Sequence, residues 1–127
     1  GKKDLVGEEV AREMLTSGKA LAKMHEIIKT QGGDPTVHCD QLTPGKYRRE
    51  ARAQHAGKIN ALNNQQITVI CRILGNPTDK KAGMYLTRKL DERVDKGDIL
   101  CTLYSSDPYR LKEAVETMKN IPVYSIE

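Results

Sequence analysis

The apolar residues of this chain keep helical spacing up to a glycine–proline break at residues 32–35, then change period, and this switch sets what the chain can fold into. Val6, Val10 and Met14, joined by Ala11 and Leu15, recur after Gly7 as on one face of a helix. Thr16-Ser17-Gly18 interrupts the stripe, and Leu21, Met24, Ile27 and Ile28 resume it. Ser17 is suited to cap the second helix, and Gly32 or Gly33 to take the left-handed backbone that ends it. Residues 36–45, bounded by Pro35 and Pro44, follow no period. The expected organisation is a helical pair over residues 1–35, a linker over 36–45 and a second unit over 46–127.

Beyond the linker the pattern is that of strands with inserted helices. Residues 47–53 are polar and partly alternating, as in an edge strand, and residues 57–62 form a short strand closed by Asn63-Asn64. A helix is predicted over 65–74, with Ile67, Ile70, Cys71 and Leu74 on one face and Gly75 and Pro77 ending it. Residues 84–89 and 99–105 read as two further strands, separated by a turn at 94–98 in which Gly97 is free to adopt positive φ. Asp107 as cap and Pro108 at the first position open a last helix, burying Leu111, Val115 and Met118. Residues 121–126 add a final strand returning to the sheet. The fold class is α+β.

With five tyrosines and no phenylalanine or tryptophan, the core must rest on Leu, Ile, Val, Met and Ala. No run approaches the roughly 18 apolar residues of a membrane span, and no signal-peptide pattern opens the chain. Cys39, Cys71 and Cys101 are odd in number and widely spaced, against a disulfide framework and in favour of a reducing, cytoplasmic setting. Gly1-Lys2-Lys3 has no domain-start pattern and suggests a processed or truncated chain.

The net charge of +4 is mild, with basic residues gathered at Lys46, Arg48, Arg49 and Arg52 and again at Lys80 and Lys81. Such a patch can neutralise nucleic-acid phosphates, but the aromatic platforms that single strands stack on are missing, so a solvated face is expected. His38-Cys39-Asp40 is an unpromising metal site, because adjacent side chains rarely converge on one ion and zinc-ligand spacing is absent. His25 and His55 read as packing or surface residues, and Cys71 and Cys101 as small buried hydrophobes.

Leu90, Val94, Gly97, Asp98 and Leu100 resemble the half-barrel turn of biotinyl and lipoyl carrier domains, and residues 78–82 resemble a modified-lysine loop. A carrier places its lysine on a tight hairpin between strands, whereas Lys80 and Lys81 follow a helix ended by Gly75 and Pro77, so covalent modification is not expected.

The same residues form an ordered series that resembles the thymidine phosphorylase and AMP phosphorylase family. The helix running into Gln31-Gly32-Gly33-Asp34-Pro35 is similar to the joint after that family's catalytic α/β domain. Ala56-Gly57-Lys58-Ile59, Asn63-Asn64 and the helix ended by Gly75-Asn76-Pro77 are similar to its sandwich strand, asparagine pair and inserted helix. Asp79-Lys80-Lys81-Ala82-Gly83 resembles its Asp-Lys-Gly-Ala-Gly loop, with Lys81 in place of a glycine. Gly97-Asp98-Ile99-Leu100, Leu103-Tyr104-Ser105 and residues 111–114 complete the series. Asn63-Asn64, the short loop at 76–83 and the lack of an arginine-containing insertion favour the archaeal AMP-cleaving branch over the bacterial pyrimidine-nucleoside branch.

The resemblance implies a barrel-sandwich-hybrid-like β domain with an inserted helix and a C-terminal helix, following the last helices of an upstream catalytic domain. It implies a phosphorolytic pentosyltransferase with inorganic phosphate as co-substrate, acting on AMP or on thymidine and its relatives, and assembled as a homo-oligomer. The family's phosphate-cradling stretch, acid and lysine lie upstream of the matching segment. No catalytic, substrate-binding or metal residue is therefore expected here, and no cofactor, membrane or specific nucleic-acid partner. Gly32-Gly33 is a poor phosphate cradle, lying at a helix C-terminus where the dipole repels anions.

Overall fold

A computed structural model describes residues 2–127, with side chains from Val6 onward. Gly1, part of the opening read as a truncated start, lies outside the described residues. The chain divides into two compact units, residues 1–42 and 43–127.

The first unit holds helices α1 (Lys2–Thr16) and α2 (Lys19–Thr30). The expected serine cap is not used. Gly18 itself is the cap of α2, in the left-handed region at φ 77°, and no side chain caps the helix. The reason is the tightness of the joint: Ser17 N and Gly18 N bond back to Glu13 O and Leu15 O, so one glycine both leaves α1 and enters α2. Gly32 ends α2 at φ 79°, as expected. A three-residue 3₁₀ turn, Cys39–Gln41, follows in the stretch read as a linker.

The second unit contains strands β1 (Tyr47–Arg52) and β2 (Gly57–Leu62), helix α3 (Asn64–Leu74), strands β3 (Gly83–Leu86), β4 (Arg93–Val94) and β5 (Ile99–Ser105), helix α4 (Pro108–Asn120) and strand β6 (Tyr124–Ile126). They form two three-stranded antiparallel sheets, ordered β1-β5-β3 and β4-β2-β6. The α+β class holds, but the sheets remain open rather than closing into the expected barrel-like hybrid.

Two differences from the sequence expectations have local causes. The strand expected over 84–89 stops at Leu86, because Thr87 N and Arg88 N both turn onto Leu100 O and leave the ladder. Val94, read as the start of a turn, belongs to β4 and pairs with Gly57. It is nonetheless the plug its resemblance implied: Val94 and Leu100 are buried with Ala53 and Ile59 in a small core linking the sheets, while Leu90 is exposed.

The main core lies between α3, α4 and one face of the β1-β5-β3 sheet, around Ile70, Leu74, Cys101, Leu103 and Ala114. β5 serves both cores, sending Leu100 one way and Cys101 and Leu103 the other. Val115 and Met118 only flank the main core, and Ala114 takes the fully buried place on α4. Leu74→Ala is expected to cost about 2–5 kcal/mol through lost burial and a cavity. Leu21→Ser, at a position 61% exposed, is expected to move stability by under about 0.5 kcal/mol. Urea unfolding of both variants checks the contrast.

Candidate functional site

The residues singled out from sequence occupy three places. The first is the loop between α3 and β3. Gly75 leaves α3 at φ 130°, and the Asp79 carboxylate accepts Lys81 N at 2.9 Å and Ser106 N at 3.2 Å. These bonds, from Lys81 first and Ser106 next, hold the Asp79 carboxyl below its ordinary range. The loop thus supplies its own internal anion, and the amides of Lys81 and Ser106 are taken. Lys81 O accepts Gly45 N at 2.8 Å, and Lys81 does not adopt the left-handed backbone; among the described residues Asp91 is the one non-glycine there. Lys80 and Lys81 therefore sit on a helix-to-strand connection braced at both ends, not on a strand hairpin.

The second place is the turn before β5. Gly97, at φ 94°, donates its N–H to Ala53 O, and Ala53 N returns a bond to Asp98 O. The Asp98 carboxylate accepts from the Arg88 guanidinium at 3.1 Å and from Asp95 N at 3.2 Å. Asn63 caps α3 by accepting Gln66 N at 3.0 Å, and Asp107 caps α4 by accepting Tyr109 N at 2.8 Å.

The third is a depression between β1 and α4, with a volume of about 610 Å³. Leu103, Val115, Met118 and Val123 line it, with Arg49 and Lys119 among its polar residues. Of the basic residues expected on a solvated face, Arg48, Arg49 and Arg52 are exposed on β1. Arg52 pairs with Glu50 and donates to Gly97 O.

The thiols are distributed as their chemistry requires. Cys39 is exposed, Cys71 half-buried and Cys101 buried. Burial, reinforced by Cys71, pushes the Cys101 thiol up to about 12. Tyr124, which donates its hydroxyl to Leu100 O at 2.8 Å, is likewise raised by burial, then by Cys101 and Glu92. Neither is poised to ionise near neutral pH. His25, His38 and His55 are exposed. His38, Cys39 and Asp40 lie on one exposed turn, and no cluster of three or more such side chains able to hold a metal occurs among the described residues. No helix among them is long and apolar enough to cross a membrane.

Set against known proteins, the profile of the pyrimidine nucleoside phosphorylase C-terminal domain matches residues 58–125, more than half of the chain. The chain belongs to this family. It is also 40% identical over 111 residues to an AMP phosphorylase of Methanosarcina acetivorans, covering 87% of this chain and 22% of the relative. AMP phosphorylases of Pyrococcus horikoshii and Methanocaldococcus jannaschii are 38% and 39% identical, over 96% and 95% of the chain and 24% of each relative. The chain spans about a quarter of the length of these curated relatives. The phosphorylase-domain profile starts inside β2, whereas the matches to whole relatives reach into the helical pair as well.

Within this family domain, the residues that carried the resemblance have folding tasks: Asn63 caps a helix, Gly75 and Gly97 make turns, and Asp79 and Asp98 tie loops. Sequence reasoning missed Ser105, whose buried hydroxyl donates to Leu74 O at 2.7 Å and accepts Asp107 N at 3.1 Å. The signal available was faint: a small polar residue ending an apolar strand just before a helix cap.

A pH dependence follows from Cys101. Unfolded, its thiol ionises around the ordinary value of 9.0; folded, it stays protonated to about 12. Unfolding in that interval releases a proton, so stability is expected to fall as pH rises above 9.0. Cys101→Ala should flatten the decline, and Tyr124→Phe should flatten its upper part, in urea titrations at successive alkaline pH values.

Proposed function

We propose that this chain is the C-terminal portion of a phosphorylase that cleaves the N-glycosidic bond of AMP with inorganic phosphate, giving adenine and ribose 1,5-bisphosphate. The observation that carries this is identity of 38–40% to AMP phosphorylases over 87–96% of the chain. In the reaction a phosphate oxygen attacks the anomeric carbon as the bond to adenine breaks. This needs donors to hold the phosphate, a group to protonate or hydrogen-bond the departing base, and charge stabilisation at an oxocarbenium-like centre.

On this reading those groups are supplied by a catalytic domain preceding the chain, and residues 1–127 supply no catalytic, substrate-binding or metal-ligating side chain and hold no cofactor. Residues 1–35 are the last helices of that domain, 36–45 a linker and 46–127 the C-terminal domain. Exposure supports the assignment of the helices: Leu15 is 72% and Leu21 61% exposed on stripes whose spacing is that of a buried face. The protein is cytoplasmic and homo-oligomeric, and the chain's task is to buttress the catalytic domain.

A second reading, a nucleoside enzyme giving a pentose 1-phosphate from thymidine or uridine, is favoured by the pyrimidine-nucleoside character of the matching family profile. The two separate in one assay. With phosphate present, the full-length protein is expected to release adenine from AMP and leave thymidine and uridine intact, while the 127-residue chain turns over none of them. Release of base by the isolated chain would overturn the division of labour, and thymidine or uridine cleavage without AMP cleavage would establish the second reading.

A further inference from the structure

We propose that the open edge of β1 is a docking strand for an extended acidic segment of another protein, with the depression between β1 and α4 receiving one of that segment's apolar side chains. β1 pairs with β5 alone, so the other row of its backbone donors and acceptors faces no strand among the described residues. The free edge is six residues long, about 20 Å, enough to lay down one added strand.

The side chains state which strand. β1 carries three arginines against one glutamate. Arg52 is matched by Glu50, but Arg48 and Arg49 are exposed and have no ionic partner among the described residues. Arg49 shares the inner face of the strand with Tyr47 and Ala51, both packed against the main core, and it lines the apolar depression. It also lines an adjoining depression of about 470 Å³ with Tyr47, Leu111 and Lys112. Arg49 and Val115 are common to both, so a continuous trough follows the strand.

A second copy of β1 would set arginine-rich strands side by side, and like charges opposed across a strand pair are destabilising. An acidic strand reverses that sign while using the same backbone edge. A nucleic-acid strand would satisfy the arginines but not the ladder, and the chain has no phenylalanine or tryptophan for bases to stack on. The inference does not depend on the phosphorylase reading.

The test is a titration of the 127-residue chain, followed by anisotropy, with a labelled peptide of about ten residues alternating Glu and Val. A Lys-for-Glu peptide and a single-stranded oligonucleotide serve as the other arms. The acidic peptide is expected to bind and to slow amide hydrogen exchange in residues 47–52, and the Arg48→Glu, Arg49→Glu double variant to weaken binding by about tenfold or more. Both positions are exposed, so that variant should keep the parental unfolding midpoint. The proposal fails if the two peptides bind alike, if the acidic peptide does not bind, if its binding leaves the β1 amides unprotected, or if the oligonucleotide binds in its place. It also fails if the full-length protein does not bind while the 127-residue chain does, since the edge would then be filled from within the same polypeptide.

Discussion

The hydroxyl of Ser105 sits where three elements of the second unit would otherwise leave polar groups unsatisfied. It donates to the carbonyl of Leu74, at the end of α3, and accepts the N–H of Asp107, the residue that caps α4. Helix ends expose such groups, and a buried one without a partner costs about 1–3 kcal/mol. One side chain therefore fixes where α3 stops, where β5 stops and where α4 begins. The chain entering β1 is held against the same point: a Cβ on Gly45 would lie 2.4 Å from the carbonyl carbon of Ser105. With these ends fixed, α3 and α4 cover the face of β5 that bears Cys101 and Leu103, and the main core follows.

What was legible in the sequence divides along the range of the interactions involved. The bounds of β2 and β5 and the Asp107-Pro108 start of α4 match the residues expected, because each is written in alternation or in a cap beside its own helix. Ser17 was misread because its neighbour Gly18 could take the left-handed conformation and make a serine cap unnecessary. β4 was missed because two residues carry no period, and their strand character comes from pairing with Gly57 and Lys58, far away in sequence. Ser105 was invisible for the same reason, its partner at Leu74 lying 31 residues earlier. The resemblance to phosphorylases was legible throughout because it rests on turn and cap residues, which are local.

That origin also explains why family motifs can run through a segment without bringing an active site. Asn63, Gly75, Asp79, Gly97 and Asp98 are each engaged in a bond or backbone angle that the fold needs. A carboxylate already bonded to two backbone amides, as Asp79 is, has its acceptor capacity directed inward. Persistence of such residues among relatives is what a shared domain architecture requires, whichever base the enzyme releases.

The two units differ in how far they satisfy their own apolar surface. The second encloses two cores, and α3 and α4 each bury part of their length in one of them. In the first, α2 buries none of its residues, and Val6, Leu15, Leu21 and Met24 are all exposed. Helices of 15 and 12 residues are marginal on propensity alone and owe most of their stability to packing of an amphipathic face. The stripe on α1 and α2 therefore calls for an apolar surface beyond the described residues. Identity to relatives about four times longer reaches into this same pair, so an unfilled hydrophobic face and the extent of the similarity support one assignment: α1 and α2 pack with the part of a phosphorylase that carries its chemistry.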